Sequence, residues 1–130
     1  PICAFTAWAA DIESAIGEVD DPAERLRRRG KAYVEWGLEH PQAYHALFDK
    51  SNPNYPGPDT GFVNLLVDLA ELHGLAPDDP QVKVLGLAHW AAVHGLTTLV
   101  ISRPRLADAY PEAYELLRRA MDPSWQQLPG

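Results

Sequence analysis

The sequence predicts an all-α protein that folds as one domain over residues 1–130. Apolar side chains recur every three or four residues, for example at Phe5, Ala9, Ile12 and Ile16, which is the spacing of one helix face. Prolines and glycines separate such segments, and no segment shows the alternation of apolar and polar residues that is typical of a strand. We therefore expect six helices and no sheet.

Local stop and start signals set the bounds of the first two helices. The first helix is predicted over residues 5–16 and ends before Gly17. Asp21 and Pro22 then supply an N-cap and a first-turn proline for a second helix. This helix is expected to reach about Glu39, because a proline two residues later disfavours helical geometry at the residue that precedes it.

The same signals predict the next two helices. Pro41 begins a short third helix that carries Phe48 near its end. Residues 51–59 contain three prolines, two asparagines and a glycine, so they are expected to form a loop. Asp59 or Thr60 then caps a fourth helix, which ends at His73-Gly74, because glycine is the preferred residue just beyond a helix.

The last two helices are predicted from prolines as well. Asp79 and Pro80 repeat the cap-plus-proline start, and the fifth helix can extend to Ser102. A sixth helix begins near Pro111 and closes before Pro123.

Charge and cysteine content limit the function classes. The chain has 11 Lys and Arg against 18 Asp and Glu, a net charge of −7, so its surface repels nucleic-acid phosphates. The single cysteine, Cys3, excludes an internal disulfide and is compatible with the cytoplasm. The opening residues carry no Met and no basic segment, so we expect no signal peptide among them, and the start at Pro1 leads us to expect further sequence upstream.

The longest uncharged stretch, residues 84–102, is long enough to suggest a membrane span. It contains two histidines, two threonines and two glycines, which make it too polar for that role. We therefore expect a buried central helix and no membrane partner.

Neither a metal site nor a catalytic site is predicted. The histidine pairs His40/His45 and His89/His94 are each five residues apart, which places them about 140° apart around a helix axis and not on one face. The paired acids directly precede proline-led helix starts, where helix capping explains them: Asp20-Asp21 and Asp78-Asp79. We expect no cofactor, no metal and no enzyme activity.

Aromatic side chains are concentrated on helices that must pack together: Trp8, Tyr33, Trp36, Tyr44, Phe48, Phe62 and Trp90. Such rings can simply fill a core. A cluster this rich is also typical of an apolar ligand pocket with a few polar groups. The residues alone leave both interpretations open.

The fifth helix is apolar nearly all round, which predicts that a second subunit covers part of it. Gly86 and Gly95 would allow another helix to approach closely, and the last helix offers a companion surface. The residues expected at this interface are Leu96, Leu99, Val100, Leu117 and Met121.

Two stretches resemble a known family. Residues 88–96, AHWAAVHGL, resemble the Trp-x-x-x-His-Gly signature of one C-terminal domain class in TetR-type regulators. Residues 29–41, RGKAYVEWGLEHP, are similar to the Gly-x-Ala-Tyr stretch of that class, which ends in His-Pro. The order of helices also agrees, so the resemblance covers essentially the whole chain.

The resemblance implies a homodimer, in which the last two helices of each subunit form a four-helix bundle. It also implies a small-molecule pocket among the earlier helices and operator DNA binding by an N-terminal helix-turn-helix domain that this chain lacks. Trp90 and His94 are the signature residues, and His94 either hydrogen-bonds a ligand or is a satisfied core histidine. The expected ligand-binding residues are Trp8, Tyr33, Trp36, Phe48, Phe62, Leu66, Trp90 and His94.

One basic run lies on the second helix. Consecutive residues wrap around a helix, so most are expected to face solvent and partly pair with nearby acids. The other interpretation is a contact with an adjoining DNA-binding domain. The residues of the run are Arg25, Arg27, Arg28, Arg29 and Lys31, and the nearby acids are Glu24 and Glu35.

We therefore expect a small-molecule-sensing domain of a cytoplasmic, bacterial TetR-like repressor that an apolar or aromatic effector releases from DNA. The alternative is a stand-alone helical dimerisation module that senses nothing. A cavity among the first four helices would favour the sensor, and a fully filled core would favour the module.

Overall fold

The structure, a computed structural model, describes residues 2–47 and 60–112 together with Glu115 and Arg119. All regular structure in these residues is helical, as predicted. The helices are α1 (Ile2–Ile16), α2 (Pro22–Glu39), α3 (Pro41–Leu47), α4 (Thr60–His73), α5 (Pro80–Ser102) and α6 (Leu106–Ala109).

Capping interactions define the starts of the two longest helices. The Asp21 side chain accepts a hydrogen bond from the Ala23 amide at 3.2 Å, and Asp79 accepts one from the Gln81 amide at 2.9 Å. In each case a proline occupies the first helical position, where its missing N–H costs nothing. The sequence signals for both starts are therefore confirmed.

Glycines in the left-handed conformation follow the ends of two other helices. Gly17, after α1, has φ +66°, and Gly74, after α4, has φ +65°. A residue with a β-carbon is strained in this conformation, which explains why glycine ends these helices.

The C-terminal part differs from the prediction. Beyond α5, a single turn from Leu106 to Ala109 forms α6, which the sequence analysis did not predict. Pro111 and Glu112 are helical, in agreement with a helix start near Pro111. The rest of the predicted last helix lies mostly outside the described residues, so the predicted count of six and the dimeric bundle stay predictions.

Helix α2 lies at the centre of the described fold and contacts α1, α3, α4 and α5. Along its contact with α5, a β-carbon at Gly30 would lie 3.8 Å from the side chain of Val93. Two turns further on, Gly37 lies against the side chains of Thr97 and Ile101. Residue numbers thus increase together on both helices, and the two helices run in the same direction.

The core has two clusters of buried apolar side chains, and the half-buried Trp90 packs against both. The first core cluster joins α1, α2, α3 and α5, and consists of Trp8, Ile12, Ile16, Ala32, Tyr33, Tyr44, Leu47 and Val93. The second core cluster joins α2, α4 and α5, and consists of Leu26, Leu65, Leu69, Ala70, Val82 and Leu85.

Candidate functional site

Three polar side chains meet inside the first core cluster. The hydroxyl groups of Tyr33 on α2 and Tyr44 on α3 lie 2.8 and 2.7 Å from Nδ1 of His94 on α5. The two hydroxyl oxygens are 3.4 Å apart, and the indole N–H of Trp90 donates to the Tyr33 hydroxyl at 3.4 Å. We call Tyr33, Tyr44 and His94 the Tyr-Tyr-His cluster.

Burial keeps the Tyr-Tyr-His cluster uncharged. Burial lowers the pKa of His94, and the nearby His45 lowers it further. Burial raises the pKa of Tyr44, although hydrogen bonding to Tyr33 opposes this shift. The cluster therefore presents neutral donors and acceptors, which suits a hydroxyl, amide or carbonyl group better than an ion.

One ring nitrogen serves two hydroxyl groups in this cluster. Nδ1 of a histidine carries either one lone pair or one hydrogen, so it makes one good hydrogen bond at a time. Tyr33 and Tyr44 therefore compete for it. Because of this competition, turning one hydroxyl towards a ligand costs less than breaking a unique hydrogen bond would.

Aromatic rings surround the cluster. Trp8 on α1 makes edge-to-face contacts with Tyr33, at 5.9 Å between ring centroids, and with Trp36, at 6.5 Å. Trp36 in turn stacks on His40 at 4.7 Å. We call these rings, together with Trp90, the aromatic wall. Through Trp8 the aromatic wall reaches α1, the helix that is closest in sequence to any upstream domain.

The wall continues to α4 through Trp90. The ring centroids of Trp90 and Phe62 lie 5.9 Å apart, and Phe62 and Leu66 both pack against Gly86. A β-carbon at Gly86 would overlap the Leu66 side chain, so this glycine serves packing within the chain. The described members of the predicted ligand-binding set thus form one continuous series of contacts, while Phe48 lies outside the described residues.

A second polar group joins α2 to α1 and α4 and was not predicted. Arg29 on α2 donates to Glu13 on α1 at 2.8 Å and to Asp68 on α4 at 2.9 Å. Arg25, one turn earlier, donates to the other oxygen of Asp68 at 2.9 Å and also bonds Glu71. The two arginines tie α2 to α1 and α4.

The carboxyl group of Glu13 is held in its charged form. Burial raises the pKa of Glu13, but hydrogen bonds from Arg29 and Asn64 outweigh burial and lower the pKa overall. Both carboxylate oxygens of the buried Asp68 accept hydrogen bonds from guanidinium groups. Removing one partner of such a buried network leaves an uncompensated charge, which is costly.

His89 on α5 completes this polar group. It is 3% exposed, and burial together with the positive charge of Arg29 lowers its pKa to about 4. The side chain is therefore neutral at pH 7. We call Glu13, Arg29, Asp68 and His89 the polar layer.

The expectation that the basic run faces solvent holds only for part of it. Arg27 and Arg28 pair with Glu24, and Lys31 lies near Glu35, as expected for an exposed face. Arg25 and Arg29 were interpreted wrongly, because they are largely buried and pair across helices. Two sequence signals were available: the two arginines are four residues apart, and Asp68 interrupts the apolar run of residues 65–70.

One face of α5 is exposed along its length. It carries five exposed apolar residues, Val84, Leu87, Ala88, Ala91 and Leu99. Leu87 is 55% exposed and Leu99 is 44% exposed. A β-carbon at Gly95, on the same face, would meet no atom of the chain within 4 Å.

The residues predicted for a dimer interface divide into three groups. Leu99 lies on the exposed face of α5. Leu96 and Val100 point into the chain's own core, at 2% and 9% exposed, and so offer a partner little surface. Leu117 and Met121 lie outside the described residues.

Two other findings concern site classes. No group of three or more His, Cys, Asp or Glu side chains within residues 2–47 and 60–112 is arranged to hold a metal ion. Helix α5 is long and apolar enough to cross a membrane by length and composition alone. In this fold it packs against α2 and α4 and carries the buried polar residues His89 and Thr97.

Comparison with known proteins identifies a family that matches this chain. Residues 26–124 match the family described as "Tetracyclin repressor-like, C-terminal domain". No curated protein and no solved structure gives a significant match. The matched segment contains the Tyr-Tyr-His cluster, Trp90 and most of the polar layer. Since it covers most of the chain and the described fold is all-helical, this chain belongs to the family of TetR-like C-terminal domains.

Proposed function

We propose that this chain is the effector-sensing and dimerising domain of a TetR-type transcriptional repressor in the bacterial cytoplasm. The observation that carries the proposal is the Tyr-Tyr-His cluster within an aromatic wall. A core that only fills space has no need of three hydrogen-bonding groups at its centre, because buried polar groups add little net stability. A ligand pocket needs such groups to fix the orientation of an apolar molecule.

The proposed effector is apolar or aromatic and carries a neutral polar group. The rings of Trp8, Trp36 and Trp90 supply apolar contact area, and the uncharged Tyr33 and His94 supply hydrogen bonds. An anion would find no unpaired positive charge in the Tyr-Tyr-His cluster. In the proposal, effector binding opens the contacts of Trp8 and so moves α1.

Movement of α1 is the proposed output. A DNA-binding domain upstream of α1 would follow the helix, and an effector that prefers one position of α1 would shift the dimer away from operator DNA. On α1, Trp8 contacts Tyr33 of the Tyr-Tyr-His cluster, and Glu13 pairs with Arg29 in the polar layer. Either contact, that of Trp8 or that of Glu13, can transmit effector binding to the position of α1.

Dimerisation is proposed through the exposed face of α5. Five apolar side chains on one face of a helix are costly to leave in water, and Gly95 allows a second helix to approach closely.

The replacement Leu87→Asp should convert dimers to monomers in sedimentation velocity. Val63, which is also 55% exposed but lies on α4, provides the matched control, since Val63→Asp should leave the dimer intact. Dimers that survive Leu87→Asp would argue against this face.

The sensing proposal is tested on the natural full-length protein. An operator selected from random DNA would be titrated in the presence of aromatic compounds, and a compound that releases it identifies an effector. Tyr33→Phe should then raise the effector concentration needed for release by about tenfold, the equivalent of one hydrogen bond of roughly 1.4 kcal/mol. Tyr110→Phe alters a 63% exposed tyrosine and should have no effect.

Two results would contradict the sensing proposal. One is an operator complex that ignores every compound that binds the protein. The other is an effector response that Tyr33→Phe leaves unchanged. The first result would favour a dimerisation module without a sensing role.

A further inference from the structure

The polar layer contains two nitrogen atoms that the fold leaves without a partner. Nε of Arg29 and Nδ1 of His89 are both inaccessible to solvent, and neither has a hydrogen-bond partner among the residues that the structure describes. A buried donor or acceptor without a partner is destabilising, and native proteins rarely retain one without a reason. Here two such atoms belong to facing helices.

The register of α2 and α5 places these two side chains at the same level. Gly30 faces Val93, and the Tyr33 hydroxyl bonds His94, so each contact pairs an α2 residue with an α5 residue 61 to 63 positions later. Gly37, which lies against Thr97, gives an offset of 60 positions. By the same register, Arg29 lies at the level of residues 89–92, which include His89 and Trp90. The effect of the Arg29 charge on His89 agrees with this placement.

The level of Arg29 and His89 is one helical turn away from the Tyr-Tyr-His cluster. Arg29 and Tyr33 are four residues apart on one face of α2, which corresponds to about 6 Å. Trp90, next to His89 in sequence, bonds Tyr33 and packs against both core clusters. An aromatic ring lying against Trp90 could therefore direct a substituent towards Arg29 and His89.

The available atoms define the chemistry of that substituent. The Arg29 Nε–H can only donate, whereas Nδ1 of the neutral His89 accepts or donates according to its tautomer. A hydroxyl group satisfies both, since it accepts from Arg29 and either donates to or accepts from His89. A carboxylate is disfavoured, because Glu13, Asp68 and Glu71 already outnumber Arg25 and Arg29 by three charges to two.

We propose that Arg29 Nε and His89 Nδ1 form a subsite for the hydroxyl group of a neutral aromatic effector, whose ring lies against Trp90. This inference rests on the proposed sensing function and adds the class of the ligand. It also links effector binding to the proposed movement of α1, because the guanidinium group that binds the effector hydroxyl is hydrogen-bonded to Glu13 on α1. A ligand that draws Arg29 towards itself weakens that ion pair.

Phenol and toluene provide the test, because they have nearly the same shape and only phenol has a hydroxyl group. Binding of each to the natural full-length protein would be measured by competition and by the increase in Tm. We expect phenol to bind at least tenfold more tightly than toluene, the factor that about 1.4 kcal/mol of hydrogen bonding gives. In protein labelled with ¹⁵N-histidine, phenol should shift the Nδ1 resonance of His89.

Variants separate this subsite from the Tyr-Tyr-His cluster. His89→Leu should bring the phenol-to-toluene affinity ratio close to one. His73→Leu is the matched control, because His73 also has a buried ring nitrogen without a hydrogen-bond partner. His73 is the last residue of α4 and lies away from Trp90, so this variant should keep the phenol-to-toluene affinity ratio of the natural protein. Arg29→Lys retains the charge opposite Asp68 and removes Nε–H, so it gives a second test if His89→Leu folds poorly.

The subsite is wrong if phenol and toluene bind equally, if phenol fails to bind at millimolar concentration, or if His89→Leu leaves the ratio unchanged. A phenol-induced shift confined to His94 would also overturn it and would place the hydroxyl in the Tyr-Tyr-His cluster. The proposed sensing function fails by a different result, namely that no compound bound by the full-length protein alters its affinity for operator DNA.

Discussion

Acidification should destabilise this domain through His89, which is buried and neutral in the folded chain. In the folded chain the pKa of His89 is about 4, whereas an unfolded histidine has a pKa of 6.5. As the pH falls from 6.5 towards 4, the unfolded state binds a proton at His89 and the folded state does not. The stabilising contribution is therefore complete above pH 6.5 and is lost progressively below it.

The size of the loss follows from the pKa difference. A difference of about 2.5 pKa values corresponds to roughly 3 kcal/mol, approached near pH 4, with a slope of about 1 kcal/mol per pH unit in between. This is a large part of the 5–15 kcal/mol by which domains are typically stable. The pKa of His94 is also lowered by burial, so His94 adds to the loss in the same direction.

Urea unfolding followed by circular dichroism at pH 7.5, 6.5, 5.5 and 4.5 would measure this effect, at one fixed protein concentration because the protein is expected to dimerise. The comparison is between the natural protein and His89→Leu. His94 and Glu13 are present in both, so the difference in slope isolates His89. We expect the variant to lose most of the dependence between pH 6.5 and 4.5, and to be more stable than the natural protein at pH 5.

Equal pH dependence in the two proteins would refute the argument. That result would mean that His89 is protonated in the folded state, and that the Arg29 charge and burial do not act on it as the structure indicates. A direct NMR titration of the His89 ring in the folded protein gives the same answer independently.

Four further predictions concern packing and charge. Asp68→Asn should lower the free energy of unfolding by about 3–5 kcal/mol, because it leaves two buried guanidinium groups without their shared carboxylate. Glu24→Gln, which alters an ion pair whose carboxylate side chain is 40% exposed, should cost under about 1 kcal/mol. Gly37→Ala should cost about 1–3 kcal/mol, since its new methyl group would overlap Thr97, and equal stability in thermal unfolding would contradict the close contact. Gly95→Ala should leave the unfolding of a monomeric Leu87→Asp background unchanged or stabilise it by up to about 1 kcal/mol, because its methyl group meets no atom of the chain.

Helix bounds could be predicted because they depend on neighbouring residues. Each cap involves residues that are close together in the sequence, so a short segment contains all the interacting groups. This holds for the N-caps Asp21 and Asp79 and for the left-handed Gly17 and Gly74. The turn of α6 was missed because its four residues carry no cap and no periodic pattern.

The candidate site could be predicted in composition but not in arrangement. The aromatic residues and His94 are recognisable by type and by the family signature, but their hydrogen bonds require the register of α2 against α5. The burial of Arg25 and Arg29 depends on Asp68, which is 43 and 39 positions away in the chain. No local pattern determines which side of a charged helix meets such a partner.

The division of the core into two clusters bears on how such a domain diversifies. Side chains of the first core cluster can change in size or shape with little repacking of the second, because, in the part of the chain that the structure describes, Trp90 is the side chain that packs against both. Descendants of one ancestral gene could therefore acquire new ligand preferences in one half while the other half continues to hold α4 and α5 in place. Chimeras that exchange only the first core cluster between relatives should fold, and they would carry the preference of the donor.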